Sequence, residues 1–210
     1  MSYNKLTPEI IAKIKAVIKE GTVYEGADIN ADYAKDEMPI YGTNMPDLAV
    51  VAKSTEEVAA VVKICNENII PVTPRGAGTG LVGGAVPIKG GVLIDTSKMD
   101  KILSYDEANM VVHTQCGVFI DTLHADAIKH GFMYAPDPGE KFACVGGNVS
   151  TNAGGMRAVK YGCTRDHVRE MTVVLPNGEI THFGATVSKT SSGYSLLNLM
   201  IGSEGTLGII

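Results

Sequence analysis

The amino-acid sequence predicts an α+β fold of two subdomains, and two contrasting patterns along its 210 residues support this class. In the first half, short apolar runs alternate with amphipathic helical segments, as expected of parallel strands joined by helices. In the second half, apolar stretches separated by turn residues predict antiparallel strands. The pattern changes near residue 100. We therefore expect a small α/β subdomain over residues 1–100 and a larger subdomain with a mainly antiparallel sheet over residues 101–210.

The N-terminal region predicts one helix followed by loops. Thr7 is a good N-cap residue, and Pro8 then occupies the first helical position, where its missing N–H has no cost. Isoleucine and valine recur on one face until about Lys19, which predicts an amphipathic helix. Residues 22–47 lack a clear period, and we expect them, Pro39 included, to form mostly loops.

A β-α-β unit is predicted next. Residues 48–52 form a continuous apolar run typical of a buried strand, and Ser54–Glu57 has the form of a capping box that begins a helix reaching about Asn68. Residues 69–73 predict a second strand, which must run parallel to the first because a helix separates them. Residues 91–95 predict a third strand.

The second half predicts a strand, a helix and a hairpin. Residues 110–115 have a strand pattern, and residues 118–130 form an amphipathic helix that stops before Gly131. Residues 170–175 and 180–183 predict two strands, and the Pro-Asn-Gly sequence between them predicts the turn of a hairpin. The chain ends on an apolar run that looks like the opening of a strand, so we expect it to be a piece of a longer protein.

Composition excludes several classes of function. The net charge of −5 gives no basic face for nucleic acid or an anionic membrane. No run approaches the roughly 18 apolar residues of a membrane span, and we expect a cytoplasmic protein. The four cysteines contain no C-x-x-C pair, which argues against a zinc or iron–sulfur site and against a disulfide framework.

Three glycine-rich segments are the most informative feature. The first glycine segment is residues 74–84, the second is residues 145–155 and the third is residues 202–208. Glycine lets a backbone approach a ligand closely and lets successive N–H groups point at one anion. Each segment alone could merely form tight turns. Together they predict one long cofactor that carries phosphate groups.

The first glycine segment does not fit the common nucleotide motifs. Gly78–Gly83 matches G-x-G-x-x-G, but that fingerprint requires a helix directly after the glycines, and Pro87, Gly90 and Gly91 forbid one. No Gly-Lys-Ser/Thr triplet closes the run, so it is not a P-loop. We expect a loop between two strands that binds phosphate through backbone N–H groups, with Arg75 as a charge partner.

Read in chain order, the motifs resemble the FAD-linked oxidase family, the vanillyl-alcohol-oxidase group with the p-cresol-methylhydroxylase type of FAD domain. The resemblance covers nearly the whole chain and rests on Pro74-Arg-Gly-Ala-Gly-Thr-Gly80, Val145-Gly-Gly-Asn148, Asn152-Ala-Gly-Gly155, Tyr161-Gly162 and Gly202-Ser-Glu-Gly-Thr-Leu-Gly-Ile209. Within the family, Pro136-Asp-Pro-Gly139 most resembles the D-lactate dehydrogenase and glycolate oxidase branch.

The resemblance implies two subdomains that hold an extended FAD. The pyrophosphate would lie on residues 75–81, the flavin and ribityl region against residues 137–139 and 145–155, and residues 204–209 would hold the adenosine or close the cleft. The residues implied to contact FAD are Arg75, Gly76, Ala77, Gly78, Thr79, Gly80, Leu81, Asp137, Pro138, Gly139, Gly146, Gly147, Asn148, Ser150, Asn152, Ala153, Gly154, Tyr161, Gly162, Glu204, Gly205, Gly208 and Ile209.

One departure from the family bears on how the cofactor is held. Some relatives carry a histidine in the first glycine segment that bonds covalently to the flavin, whereas this chain has Thr79 there. We therefore expect noncovalent FAD. We expect the five histidines to be structural or solvent-facing, and the sequence identifies no catalytic base. The resemblance implies a C-terminal cap domain that supplies the substrate residues and any metal site, and we expect these 210 residues to lack it.

The implied activity is FAD-dependent oxidation of a 2-hydroxy acid, D-lactate to pyruvate in the first instance, with electrons passed to a separate acceptor such as an electron-transferring flavoprotein. Two alternatives stay open. One is a flavin-binding or electron-transfer subunit without turnover of its own. The other is the NADPH-dependent cell-wall reductase of the same fold, which Pro136–Gly139 and Asn152–Gly155 disfavour.

Overall fold

The computed structural model describes residues 2–38, 40 and 42–210, so Pro39 lies outside the described residues. The described residues form an α+β fold with six α-helices and eight strands. The helices are α1 (Pro8–Val17), α2 (Thr55–Glu67), α3 (Ile120–Lys129), α4 (Val145–Thr151), α5 (Ala158–Tyr161) and α6 (Leu196–Met200). The strands are β1 (Thr22–Glu25), β2 (Leu48–Val51), β3 (Val72–Arg75), β4 (Val92–Asp95), β5 (Ile102–Asp106), β6 (Val111–Thr114), β7 (Glu170–Val174) and β8 (Ile180–Gly184).

The first half contains a four-stranded sheet in the order β1-β2-β4-β3. Strands β2 and β3 both run parallel to β4, while β1 pairs antiparallel with β2 at one edge. The predicted β-α-β unit is present, but β4 lies between its two strands. Every residue of β2 and β4 is buried, which explains their continuous apolar sequences. Ile10 and Ile14 of α1 and the valines of α2 pack into the same core.

Helix α2 begins as predicted at its cap, but the capping box closes differently. The hydroxyl of Ser54 accepts a hydrogen bond from the backbone N–H of Glu57 at 3.3 Å. The Glu57 carboxylate accepts from the N–H groups of Lys19, Glu20 and Gly21 through Oε1 and from Lys53 through Oε2, at 2.7 to 3.1 Å. This carboxylate therefore ties α2 to the turn between α1 and β1.

The second half contains two hairpins, one of β5 and β6 and one of β7 and β8. The second hairpin turns at residues 175–179, as the Pro-Asn-Gly sequence predicted. A separate core of Val149, Met171, Val173, Met200 and Ile201 packs α4 against this hairpin. The apolar run at the chain end forms only one antiparallel bridge, between Ile209 and Val174.

Several expected boundaries were wrong. Helix α1 ends at Val17 rather than near Lys19. Strand β3 begins at Val72 rather than at Ile69, which has a left-handed φ of 56° and is therefore not extended. Strands β1 and β5 lie in segments for which we predicted no strand. The largest difference is in the second glycine segment, which begins with helix α4 although we predicted no helix there.

Candidate functional site: a glycine-lined cleft

A cleft of about 470 Å³ separates the first glycine segment from helix α4. Its lining includes most of the residues that the sequence nominated. These are Arg75, Gly76, Ala77, Gly78, Thr79, Gly80, Leu81, Pro138, Gly146, Gly147, Asn148, Ser150, Asn152, Ala153, Gly154, Glu204, Gly205, Gly208 and Ile209. The three glycine segments, far apart in sequence, thus meet at one site.

The first wall follows directly from strand β3. Residues 76–91 form turns and bends between β3 and β4, so the glycines open no helix and the dinucleotide fingerprint does not apply. At Gly80 a Cβ atom would meet only Asp36, whose Oδ2 would be 3.8 Å away. Protein packing therefore does not require glycine at position 80. Because Gly80 has no side chain, a ligand can approach its backbone.

The guanidinium of Arg75 lies beneath this wall. Arg75 is only 9 % exposed, and its Nη1 donates to the backbone oxygen of Lys35 at 2.7 Å. The guanidinium carbon lies 5.6 Å from the centre of the Tyr33 ring, and the Tyr33 hydroxyl donates to Oδ2 of Asp95 at 2.5 Å. Burial lowers the pKa of Arg75, and the neighbouring Asp95 opposes that shift. We predicted that the Arg75 guanidinium would pair with phosphate, but it already has partners within the protein.

The second wall is helix α4, whose two adjacent glycines differ in their surroundings. A Cβ at Gly146 would lie 2.6 Å from the Cβ of Cys116, so close packing excludes a side chain there. At Gly147, on the cleft, the nearest atom would be the Cys144 Sγ at 3.3 Å. Asn152 ends the helix in the left-handed region with φ 50°.

Asn148 is the most unusual residue of the second wall. It is 4 % exposed, yet its side-chain Nδ2 has no hydrogen-bond partner among the described residues. Buried amide donors are nearly always paired, because leaving one unpaired costs about 1–3 kcal/mol. Since Asn148 also lines the cleft, its amide is suited to donate to an acceptor on a bound molecule.

Cys144 connects the two walls, and no pattern in the sequence pointed to it. Its buried side chain occupies the space where a Cβ at Gly76 would lie, and the backbone N–H groups of Ala77 and Gly147 point to its sulfur. Burial raises the pKa of the Cys144 thiol despite these donors, so it stays a neutral thiol. All four cysteines are free thiols.

The third glycine segment is held against α4. The N–H of Gly202 donates to the Val149 oxygen at 3.0 Å, and the N–H of Glu204 donates to the Ser150 oxygen at 2.8 Å. Arg165 supports this arrangement because its guanidinium donates to the backbone oxygens of Asn198 and Ile201.

Four nominated residues do not line the cleft. Asp137 pairs with Arg157 at 3.3 Å, and its backbone oxygen packs on Gly155 where a side chain would collide. Gly139 lies in a turn with φ 85°. Tyr161 and Gly162 end helix α5, and a Cβ at Gly162 would overlap the carboxylate of Asp166. For Gly155 and Gly162, close packing therefore accounts for the glycine.

The five histidines also lie outside the cleft lining. His113, His167 and His182 border a second cavity of about 660 Å³ beside the hairpins. His113 faces Glu170 at 3.6 Å, and His182 is hydrogen-bonded to the Thr172 hydroxyl at 3.0 Å. Within residues 2–38, 40 and 42–210, no three Cys, His, Asp or Glu side chains are grouped so as to hold a metal ion.

The cleft fits a phosphate-bearing cofactor with hydrogen-bond acceptors. At Gly80 no protein atom lies closer than 3.8 Å to the position of a Cβ, and the Asn148 amide offers an unused donor. Backbone N–H groups in a glycine segment can bind an anion without a positive side chain. None of the described helices has the length and apolarity that a bilayer crossing requires.

Comparison with known proteins identifies the kind of domain. Residues 46–184 match the model of a family described as FAD binding domain. The chain is 69 % identical over 208 residues to a D-lactate dehydrogenase of Anaerostipes hadrus, covering 99 % of this chain and 44 % of that protein. It is 42 % identical over 180 residues to glycolate oxidase subunit GlcD of Bacillus subtilis, covering 85 % of this chain and 38 % of that protein.

Solved structures show the same fold. An alkyldihydroxyacetonephosphate synthase superposes with a TM-score of 0.83 at 26 % identity, over 100 % of this chain and 40 % of the other. The chain therefore spans less than half the length of these relatives, and the matched part is the region that contains the cleft.

Proposed function

This chain belongs to the FAD-binding domain family, and from that premise we propose that the protein is an FAD-dependent dehydrogenase of 2-hydroxy acids, with D-lactate as its first candidate substrate. The observation that carries the proposal is the cleft between the first glycine segment and helix α4, in a chain 69 % identical to part of a D-lactate dehydrogenase. In the reaction, the α-carbon loses a hydride and the hydroxyl group loses a proton, giving pyruvate.

The residues of the cleft would bind the cofactor noncovalently. Backbone N–H groups of Gly78, Thr79 and Gly80 would hold the diphosphate, and the Asn148 amide would donate to a further acceptor. The chemistry that FAD supplies when bound is acceptance of the hydride. Thr79 cannot form the histidyl–flavin bond of some relatives. We include Asp137, Gly139, Tyr161 and Gly162 among the site residues only as supports, since they do not line the cleft.

We further propose that the cleft lies between two subdomains, residues 1–100 and 101–210. The first glycine segment follows β3 of the four-stranded sheet, and α4 packs on the hairpin core, so the walls come from different halves of the chain. Such a division would place a long cofactor across the boundary, where ligand sites often lie.

The proposal extends to location and electron acceptor. The four free thiols are usual in a reducing compartment, which supports a cytoplasmic protein. A separate acceptor, such as an electron-transferring flavoprotein, would then reoxidise the cofactor. The chain's net charge of −5 favours an acceptor that presents a basic surface.

The test uses the purified protein as its gene encodes it, loaded with FAD. Under anaerobic conditions, D-lactate should bleach the visible flavin band rapidly, with L-lactate and glycolate as comparisons. Flavin that stays oxidised with all three acids would contradict the proposal and would favour an electron-transfer subunit. Acid precipitation should give a colourless pellet and a yellow supernatant, whereas a yellow pellet would show a covalent bond.

A further inference from the structure

Beneath the first wall, Tyr33, Asp95 and Arg75 form a network of contacts. Ligand binding by backbone N–H groups does not by itself require this network. Asp95 at the end of β4 accepts from the Tyr33 hydroxyl at 2.5 Å and from the N–H of Ser97 at 2.7 Å. The Tyr33 ring lies against the Arg75 guanidinium. Burial and the hydrogen bond to Asp95 raise the pKa of Tyr33 well above its usual range, so its hydroxyl remains a donor.

Arg75 is placed to support the backbone of the first glycine segment from below. A Cβ at Gly78 would overlap the guanidinium of Arg75, so the side chain fills the space directly under that residue. Gly78 also has a φ of 76°, which a residue with a side chain rarely adopts. The guanidinium and the left-handed backbone therefore fit together only when residue 78 is glycine.

The segment around Tyr33 holds the same wall at two further points. The backbone oxygen of Lys35 accepts from Arg75 Nη1 at 2.7 Å, and the N–H of Glu37 donates to the Gly80 oxygen at 3.2 Å. Residues 33–37 therefore contact the turn at both ends, through the Arg75 side chain at its start and the Gly80 backbone at its end. The segment is anchored in turn, since the N–H of Asn44 donates to the Ala34 oxygen at 2.9 Å.

We propose that Tyr33, Asp95 and Arg75 form a positioning network that holds residues 76–80 in the anion-binding conformation, and that Arg75 does not itself pair with the phosphates. The charge of Arg75 is opposed by Asp95 beside it on the sheet, and its Nη1 is already used by Lys35. Phosphate recognition is then left to the backbone N–H groups. A glycine-rich turn loses much conformational entropy when it is fixed, so a turn that is already held binds its ligand more tightly.

This inference rests on the cleft being the FAD site, and the test separates the two. The affinity of the apoprotein for FAD is measured by titration for the wild type, Arg75→Lys, Tyr33→Phe and the double variant. Tyr33→Phe should weaken FAD binding about tenfold, although Tyr33 does not line the cleft, because it removes a hydrogen bond to a carboxylate. Arg75→Lys should weaken binding at least as much, since lysine keeps the charge but cannot make the guanidinium contacts. The double variant should be no weaker than the weaker single variant.

Two controls make the result specific. Tyr105→Phe removes a similar hydrogen bond, from Tyr105 to Asp126 at 3.0 Å, in a hairpin away from the cleft, and should leave FAD affinity unchanged. Raising the salt concentration should weaken FAD binding by the same factor in the wild type and in Arg75→Met, because no phosphate–guanidinium pair is lost. A smaller salt effect in Arg75→Met would overturn the proposal, as would wild-type affinity in Arg75→Lys together with a silent Tyr33→Phe.

A measurement without FAD tests whether the network holds residues 76–80, even if the protein turns out not to bind FAD. Amide hydrogen exchange of residues 76–80 in the apoprotein should be faster in Tyr33→Phe than in the wild type, and unchanged in Tyr105→Phe. Equal exchange in all three proteins would show that the network does not hold the turn. A wild type that binds no FAD would instead refute the FAD site and leave the exchange result valid.

Discussion

Two buried polar side chains, one beside the sheet and one in the cleft, show how the two regions differ. Glu57 and Asn148 are each 4 % exposed. The Glu57 carboxylate accepts four backbone hydrogen bonds, whereas the Asn148 Nδ2 has no partner within the described part of the chain. The two side chains are therefore equally buried, but the Glu57 carboxylate is fully hydrogen-bonded and the Asn148 Nδ2 is not.

The difference indicates which region is complete by itself. A buried group with all its partners contributes to the stability of the fold, and its loss should be seen in unfolding experiments. A buried donor without a partner lowers stability in the free protein and is compensated only when a ligand binds. Variants at the two positions should therefore change different measurements.

The largest effect is expected for Glu57→Gln. The amide can accept through its oxygen only, and its NH₂ group would face backbone N–H donors, so we expect a loss of about 3 kcal/mol in the free energy of unfolding. FAD affinity of the folded variant should be unchanged. Urea denaturation of the variant beside the exposed Glu56→Gln, which should stay within about 0.5 kcal/mol of the wild type, checks this expectation.

The same carboxylate predicts a pH dependence. Burial alone would raise the pKa of Glu57, but the backbone donors outweigh it and hold the pKa below the usual 4.5. A lowered pKa gives stability that is fully present above 4.5 and is lost as the pH falls through the lowered value. The stability difference between wild type and Glu57→Gln should therefore be constant near neutral pH and shrink in acid. A constant difference down to pH values well below 4.5 would contradict this account.

A smaller effect is expected from two glycines of the first wall. A Cβ at Gly76 would overlap the Cys144 sulfur, so Gly76→Ala should lower the free energy of unfolding by about 1–3 kcal/mol. A Cβ at Gly80 would meet nothing closer than 3.8 Å, so Gly80→Ala should leave stability within about 0.5 kcal/mol and still weaken FAD binding. Thermal unfolding and FAD titration of both variants would separate the two roles. Equal loss of stability in both would remove the distinction.

The structure also explains why Gly78 is a poorer probe than Gly80. A side chain at Gly78 would strike the Arg75 guanidinium and would strain a left-handed φ, so it disturbs the wall and the ligand together. Only neighbours from distant parts of the chain distinguish the two positions. Sequence alone gives both glycines the same appearance.

The sequence predicted those elements whose own residues carry a recognisable pattern, and it missed those that depend on contacts with distant residues. Strands β2 and β4 were predicted because they are buried on both faces and therefore continuously apolar. Strand β1 is a four-residue edge strand of mixed residues, Thr22–Glu25, whose pairing with β2 leaves no local pattern. Helix α4 was missed because glycines disfavour helices, while the packing of Gly146 on Cys116 that requires glycine is not local.

The site followed the same rule. The glycine segments predicted the cleft because glycine has no side chain to cover its backbone, and this property can be read from the residue type alone. The direction of the Arg75 guanidinium depends on Tyr33 and Lys35, about forty residues away in the sequence, so the nature of its partner could not be read locally. Cys144 was missed for the same reason, since its role depends on contact with Gly76.

Asn148→Leu should change stability less than Glu57→Gln does, and it gives the sharpest test of the comparison. Leucine is close to asparagine in size but has no donor, so the free protein loses an unpaired buried amide and should become more stable by about 1 kcal/mol or stay unchanged. FAD binding should weaken about tenfold, because the donor that the cofactor would use is gone. Stability and affinity are therefore expected to move in opposite directions, in contrast to Glu57→Gln.

Asn148→Asp serves as the matched control, because it keeps the size and replaces the donor with an acceptor. It should weaken FAD binding more than leucine does, since a carboxylate would face an acceptor on the cofactor. Differential scanning fluorimetry without FAD and titration with FAD give the two quantities for each variant. If Asn148→Leu lost stability and kept its affinity, the amide would be a structural group like Glu57, and the contrast between the two regions would not hold.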